Sequence, residues 1–328
     1  MAQTHPDAQV AHAQARARVT ELGGGISNTV LLVRTHDTAL VLKQSLAKLR
    51  VADDWEFDRR RLLVEAKCME VLGRILEPGE VPSMLDLDRE NLIFTMTAAP
   101  DDGVVWKQAL LDGHIDLTAA RRVGDLLGRI HRHAAEDPLL AEAFDDLMPL
   151  IEGRIEPYHR VAASVHPDLQ TNIERDIARL TGHRRTLVLG DYSPKNLIVY
   201  PDRVLALDFE AAHWGDPSFD TGFLISHLVA KAIYIPEKQS ELLAAARQFF
   251  TAYSDAAGSA GATPADTATE VGVLLLCRVD GKSKLEYLDS GGRDAVRRLA
   301  RELIAGQVTD LDEALALAAA AQPDPSHR

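Results

Sequence analysis

Cysteine is nearly missing from this chain: 328 residues carry two, Cys68 and Cys277. They lie far apart and match no metal-ligand spacing, which argues against a disulfide framework or a cysteine-built metal site. Both fall in apolar helical patterns, so buried free thiols are expected. Aromatic residues make up 5%, with Trp55, Trp106 and Trp214 scattered. That is poor material for an aromatic cage around a quaternary ammonium group. Positive charge is also short: 36 Lys and Arg face 49 Asp and Glu, a formal net charge of −13. General nucleic-acid binding needs an excess of Lys and Arg on one face, so no nucleic-acid partner is expected. A polyphosphate site must gather its positive charge locally, because the global field repels the ligand. No apolar run reaches bilayer-spanning length, so no membrane partner is expected. The first residues, MAQTHPDAQVAHAQARARV, lack the apolar core of a secretion signal. A soluble cytoplasmic protein is the expectation. No fixed-period repeat is present, and the tail from Gln322 to Arg328 reads as disordered.

Against these shortages stands an ordinary 46% of hydrophobic residues, in a chain long enough for one large domain or two lobes. The most informative stretch runs from Leu187 to Asp220, LVLGDYSPKNLIVYPDRVLALDFEAAHWGDPSFD. Apolar runs broken by Gly, Pro and Asp read as buried strands and turns. Asp191, Asn196, Asp208 and Glu210 therefore sit at strand ends rather than on a solvated face. Burying several acids together is costly unless a cation shares the site. Such a set suits a divalent metal, phosphates and a hydroxyl nucleophile, and makes phosphoryl transfer the leading expectation.

Gly190-Asp191, then Asn196 five residues on, then Asp208-Phe209-Glu210, resemble the aminoglycoside phosphotransferase, choline kinase and methylthioribose kinase family. The resemblance implies an α+β, bilobal protein-kinase-like fold. A small β-rich N-lobe would span residues 1–98 and a larger, mostly helical C-lobe residues 99–328. It implies ATP and Mg²⁺ as cofactors and a small-molecule acceptor, and leaves the oligomeric state open. By resemblance Asp191 is the catalytic residue that orients the acceptor hydroxyl and takes its proton. Asn196 offers a neutral oxygen suited to Mg²⁺, and Asp208 is the main metal carboxylate. Glu210 points the same way along an extended chain, to complete the metal shell or touch substrate. Where the family usually has His two residues before the catalytic Asp, this chain has Leu189. Asp220 resembles the family aspartate that accepts N–H bonds from the catalytic loop.

Upstream, Glu21 to Asn28 is a glycine-rich turn, in which Gly24 and Gly25 let backbone N–H groups approach phosphates. Val30–Arg34 and Ala39–Lys43 read as a hairpin of strands turning at His36-Asp37. Helical periodicity follows from about Asp58 to Leu76. Lys43 and Glu65 match, in order and spacing, the strand Lys that contacts phosphates and the helix Glu that holds it. Glu56 and Glu70 flank Glu65 as competing choices. Val41 to Gln44, Leu49 to Val51, Trp55, Asp58-Arg59 and Val64 to Ala66 also look like the methylthioribose kinase branch, as does WGDPSFDTGFLISHL. Val81-Pro82 and the strand Asn91–Met96 complete the N-lobe. Thr97 to Pro100 would be the adenine-binding hinge, with Thr97 and Ala99 as candidate contacts.

The C-lobe opens with a helix over Leu117–Ala135, whose His131 reads as a packed core residue. Further helices are expected around Thr221–Ala232, Glu237–Tyr253, Thr267–Tyr287, Asp294–Ala305 and Asp310–Ala321. Lys195 either adds charge near the transferring phosphate or is a solvated surface residue. Ser193, before a Pro, is a turn residue rather than a nucleophile. The charged segment Arg278–Tyr287 is expected to bridge helices to the catalytic loop rather than line the acceptor pocket. Methylthioribose-like sugars, aminoglycosides and choline-like alcohols remain open as acceptors, and scarce aromatics weigh against the last. A reading from another class is a nucleotide-binding pseudokinase acting as a regulatory module, for which Leu189 is the best support.

Overall fold

The computed structural model describes residues 17–23, 27–46, 57–306, 308 and 310–322. Five antiparallel strands begin the chain: β1 (Arg18–Glu21), β2 (Asn28–Arg34), β3 (Ala39–Ser45), β4 (Met84–Asp88) and β5 (Ile93–Thr97), ordered β1-β2-β3-β5-β4. The helix α1 (Arg61–Ile75) joins β3 to β4. In β3 the side chains of Val41, Lys43 and Ser45 are buried and alternate with half-buried neighbours, the period-two pattern of a strand with one covered face. Lys43 is thereby placed on the inner face, in register with Val30 on one side and Phe94 on the other. Strands β1 and β4 lie outside the expected set. Both are edge strands with acidic or exposed positions, where the hydrophobic alternation that marks a strand fades.

The remaining chain is mostly helical: β6 (Val104–Val105), α2 (Trp106–Leu111), α3 (Leu117–Glu136), α4 (Pro138–Ala143), α5 (Met148–Leu150), a π-helical turn Ile151–Arg160, α6 (Val161–Val165) and α7 (Gln170–Gly182). Short strands β7 (Thr186–Val188), β8 (Leu197–Val199), β9 (Val204–Ala206) and β10 (His213–Gly215) frame the segment that carries Asp191, Asn196, Asp208 and Glu210. Then come α8 (Ser218–Tyr234), α9 (Gln239–Ala257), α10 (Pro264–Asp280), α11 (Ser290–Ala305) and α12 (Leu311–Ala320). The fold is α+β, with an antiparallel sheet first and a helical lobe after it. The helix expected over Thr267–Tyr287 ends at Asp280. Gly281 stops it, with its N–H returned to the Cys277 carbonyl at 2.9 Å. Helices α4 to α7 were not expected, because Pro138, Pro149, Pro157 and Pro167 break the run into pieces too short for a clear period. Cys68 and Cys277 are buried free thiols.

Every residue of α8 from Ser218 to Ile233 is buried, which makes this helix the axis of the lobe. Aspartate caps start α3, α11 and α12, where Asp116, Asp289 and Asp310 each accept a backbone N–H from the first turn. Helices α3 and α9 approach closely enough that a Cβ on Gly124 would lie 2.1 Å from the Phe249 carbonyl oxygen. A Cβ on Gly128 would lie 2.6 Å from the Tyr253 carbonyl oxygen. On propensity alone, Gly124→Ala should stabilise a helix by about 1 kcal/mol. The contact predicts the opposite sign, a loss of about 1–3 kcal/mol from overpacking, read by urea or thermal unfolding. A stabilised Gly124→Ala protein would contradict the close α3–α9 approach.

Candidate active site

Lys43 and α1 meet beneath the sheet. The Lys43 Nζ lies 2.8 Å from a Glu65 carboxylate oxygen and 2.6 Å from Asp208 Oδ1. Glu65 is buried while Glu70 on the same helix is exposed, so helix phase selects between them; Glu56 lies outside the described residues. Burial alone would lower the Lys43 ammonium, but Asp208, Glu65 and Glu210 outweigh it and hold it above its ordinary value. Burial pushes Glu65 up to about 7, against the pull of Lys43. Burial also works against ionised Asp208, yet Lys43, Lys195 and Arg154 bring it down to about 2.

Asp208 sits just past β9 with φ +67°, a left-handed conformation that non-glycine residues seldom adopt. The Leu207 N–H donates to the Asn196 carbonyl at 2.9 Å, so the β8–β9 hairpin carries Asn196 and Asp208 on one edge. Asn196 Nδ2 donates to the Asp191 carbonyl at 3.0 Å, which leaves its Oδ1 as an acceptor. Glu210 is held on one oxygen, Oε2, by Asn28 Nδ2 at 2.8 Å and Arg61 Nε at 3.1 Å. One carboxylate oxygen from each of Glu65, Asp208 and Glu210 falls within 4.8 Å of the others. These are hard oxygen donors of the kind that suit a small divalent cation beside phosphates.

Asp191 follows Gly190, whose φ of +75° and whose approach to the Ala211 carbonyl oxygen leave no room for a side chain: a Cβ there would lie 2.5 Å from that oxygen. Asp220, at the start of α8, accepts the N–H of Leu189 at 2.7 Å and of Gly190 at 2.8 Å. His131 of α3 lies 3.3 Å from the same carboxylate through Nε2, and 2.9 Å from the Tyr253 hydroxyl through Nδ1. The Leu189 side chain itself is packed in the core. Asp191 Oδ2 lies 3.3 Å from an Arg154 guanidinium nitrogen and 2.9 Å from Lys195 Nζ. Lys195 therefore points into the site rather than away from it. Ser193 Oγ is 3.3 Å from Asp191 Oδ1 and belongs to the turn.

The structure brings Lys43, Glu65, Asp191, Asn196, Asp208 and Glu210 into one cleft between the sheet and the helical lobe. Gly24 and Gly25 lie outside the described residues. Thr97 already spends its N–H on the Ser83 carbonyl at 2.9 Å, so that group is not available to a base. Ala99 is half-buried just beyond β5. Residues that sequence reasoning missed are Asn28 and Arg61, which hold Glu210, and Arg154 on the π-helical turn, which faces Asp191. Arg61 carries a signal in hindsight, since it lies one helical turn before Glu65 and shares its face. Arg154 carries none, because its turn has no regular period. A second group of ligand-type atoms, on His159, Asp176 and Glu270, also lies within 4.8 Å. There Arg179 bonds Asp176, Asp216 and Glu270. Burial lowers His159, but Asp176 and Glu270 raise it to about 9, so this cluster is neutralised within itself.

A lysine-bearing sheet over a helical lobe, with acids converging between them, defines a kinase-like fold of the small-molecule phosphotransferase kind. The choline kinase of Cryptosporidium parvum shares this fold at 12% identity, with a TM-score of 0.58 over 95% of this chain and 94% of that one. So does a choline/ethanolamine kinase family protein of Mesorhizobium loti, at 15% identity and a TM-score of 0.52 over 94% of each chain. Residues 18–261 match the phosphotransferase enzyme family, and the chain belongs to that family. A methylthioribose kinase of Bacillus cereus is 22% identical over 249 residues, 68% of this chain. The chain spans 63% of that relative's length.

Asp220 gives a graded test of how the loop is held. Asp220→Ala strands two buried N–H donors, each costing about 1–3 kcal/mol. Asp220→Asn keeps one acceptor oxygen but turns an NH₂ toward the other donor, and should cost about half as much. Thermal melts of the two variants rank them; equal, negligible losses would show that the loop does not depend on this carboxylate.

Proposed function

We propose that the protein is an ATP-dependent kinase that transfers the γ-phosphoryl group to a hydroxyl of a small acceptor. The observation that carries this reading is the meeting of Lys43, Asp208, Asn196 and Asp191 in one cleft. Lys43, steadied by Glu65, contacts the nucleotide phosphates. Asp208 and Asn196, with Glu210 beside them, hold a divalent cation for which Mg²⁺ is the natural choice. When bound, that ion neutralises phosphate charge and aligns the terminal phosphoryl group. The acceptor oxygen forms a bond to the γ-phosphorus as the bond from that phosphorus to the β–γ bridging oxygen breaks, and ADP leaves. Asp191 orients the acceptor hydroxyl and takes its proton. Lys195 and Arg154 restrain Asp191 and offset charge that develops on the transferring group. A sugar-like acceptor, such as a methylthioribose-like one, is supported by the methylthioribose kinase relative, whereas an aminoglycoside-like one rests on family membership and fold. The protein acts as a soluble enzyme in this reading; no described helix is long and apolar enough to cross a membrane.

Two variants separate this reading from a nucleotide-binding module without chemistry. Asp191→Asn keeps the shape and removes the base, so transfer should fall roughly 10²–10⁴-fold with little change in ATP affinity. Asp208→Asn should lose metal-dependent nucleotide binding as well as rate. Calorimetry with and without Mg²⁺ and single-turnover transfer are the measurements. Near-wild-type transfer by well-folded Asp191→Asn, or nucleotide binding that ignores both metal and Asp208→Asn, sinks the assignment.

A further inference from the structure

One buried wall of the helical lobe carries two cations, Lys231 and Arg278, that form no ion pair with a carboxylate among the described residues. Lys231, in the last turns of α8, is fully buried, and its one hydrogen bond is a long 3.4 Å contact to the His227 carbonyl. Its Nζ lies 5.1 Å from the centre of the Tyr287 ring. Arg278, at the end of α10, donates to the neutral hydroxyls of Tyr158 at 3.1 Å and Ser283 at 2.9 Å, while its Nε has no partner. The buried His227 Nε2 and Tyr287 hydroxyl also lack partners. Glu286, the acid of this region, is paired with Lys107. Elsewhere the buried and half-buried cations behave differently: Arg61, Arg129 and Arg179 each sit on carboxylates. An ammonium taken out of water without a counter-charge is costly and either gives up its proton or pairs with an anion, so this wall is poised to take an anion supplied from outside.

This wall adjoins the chemistry. Arg154, which faces Asp191, lies over the rings of Tyr158 and Phe223, at 5.6 and 5.7 Å. Arg278 donates to the Tyr158 hydroxyl and lies 5.7 Å from the centre of the same ring. Phe223 in turn contacts His227 at 5.3 Å between ring centres. Arg154 and Tyr158 thus form the link between Asp191 and Arg278. Resting on the kinase reading, we infer that the acceptor carries an anionic group, a carboxylate or a phosphate ester, which Arg278 and Lys231 bind while its hydroxyl lies at Asp191. Tyr287 and His227 supply further polar contacts to the same oxyanion. The segment Arg278–Tyr287 then does two things: it bridges elements, through Lys107–Glu286 and through Lys282 N–H to the Pro157 carbonyl, and it closes the acceptor pocket.

The ionisation of Lys231 agrees with this role. Burial, with Lys107 and Arg278 nearby, lowers its ammonium to about 7 against the opposing pull of Glu286. His227 stays neutral, lowered first by burial and then by Arg278, Lys231, Lys195 and Lys107. Tyr287 is raised by burial, and Tyr234 packs on its ring. An oxyanion beside Lys231 raises the ammonium again. Binding therefore takes up a proton above about pH 7 and weakens as the pH rises.

The test uses the full chain and two oxyanion probes, sulfate and malonate, titrated against the melting temperature at constant ionic strength held with chloride. The wild-type melt should rise, and the rise should be lost in Lys231→Met and in Arg278→Gln. Lys231→Met should start from a higher melt than wild type, because it removes an unpaired buried charge, which also guards against a folding artefact. No rise in wild type, or an equal rise in both variants, overturns the inference. Glycerol, glycerate, glycerol 3-phosphate and choline are then compared as acceptors at fixed Mg²⁺ and ATP. Turnover favouring either anion supports the site and tells carboxylate from phosphate, with KM rising roughly ten- to a hundred-fold in Arg278→Gln. Preference for glycerol or choline overturns it, and with none turned over the titration decides. Failure of the wild-type protein to bind Mg²⁺ and ATP by calorimetry would sink the kinase reading alone and leave the oxyanion result standing.

Discussion

The structure depends on one electrostatic constraint: three acids, Glu65, Asp208 and Glu210, share a buried cleft and must be answered by cations and donors placed among them. Lys43 answers Glu65 and Asp208, and Arg61 with Asn28 answers Glu210. Every one of these partners comes from the sheet or from α1, while Asp208 and Glu210 come from the helical lobe. The pairs therefore tie the two lobes together as well as balancing charge. Such buried pairs are weak as net stabilisers but strong as geometric specifiers when one partner cannot be removed without stranding the other. In the proposed function a polyphosphate with its cation would enter this balance by taking over some of these contacts, so local charge offsets the acidic chain.

The second constraint is backbone. Asp208 and Gly190 both hold left-handed φ values, the first at a site carboxylate and the second just before Asp191. Strained residues persist where their surroundings over-determine them. For Gly190 the surroundings are Asp220, which takes two loop N–H groups, and Arg154, which donates to the Gly190 carbonyl at 2.7 Å. For Asp208 they are the β8–β9 hairpin and the Lys43 ammonium. The Leu189 side chain packs in the core, and His131 from α3 presents an imidazole to Asp220 instead.

Much of this was legible in the sequence, and for a physical reason. Strands β2, β3 and β5 and helices α1, α3 and α9 to α12 carry hydrophobic periods, and α8 is an almost continuous apolar run; their positions follow from these patterns. Asp191, Asn196, Asp208 and Glu210 stood out because acids between apolar runs are rare unless they share a cation. What stayed hidden had no local signature. Edge strands β1 and β4 lack clean alternation, and prolines fragment α4 to α7. Arg154 comes to Asp191 by tertiary packing, from a π-helical turn whose spacing fits neither common period. The cations at Arg278 and Lys231 were individually visible, but what sets them apart is the missing counter-charge. A missing partner is a property of three-dimensional neighbours, and no reading along the chain can find it.

Helix α8 joins these observations into one mechanical argument. Its first turn holds Asp220, which fixes the loop bearing Asp191; two turns later it presents His227 and one turn further Lys231. The helix is buried along nearly its whole length, so its two ends cannot shift independently without opening the core. The Asp191 loop and the Lys231 end of the helix are therefore related through a rigid rod rather than a flexible loop. In the proposed reading this rigidity lets binding energy gained at the cationic wall serve orientation at the reacting oxygen, which is how remote contacts contribute to rate rather than to affinity alone.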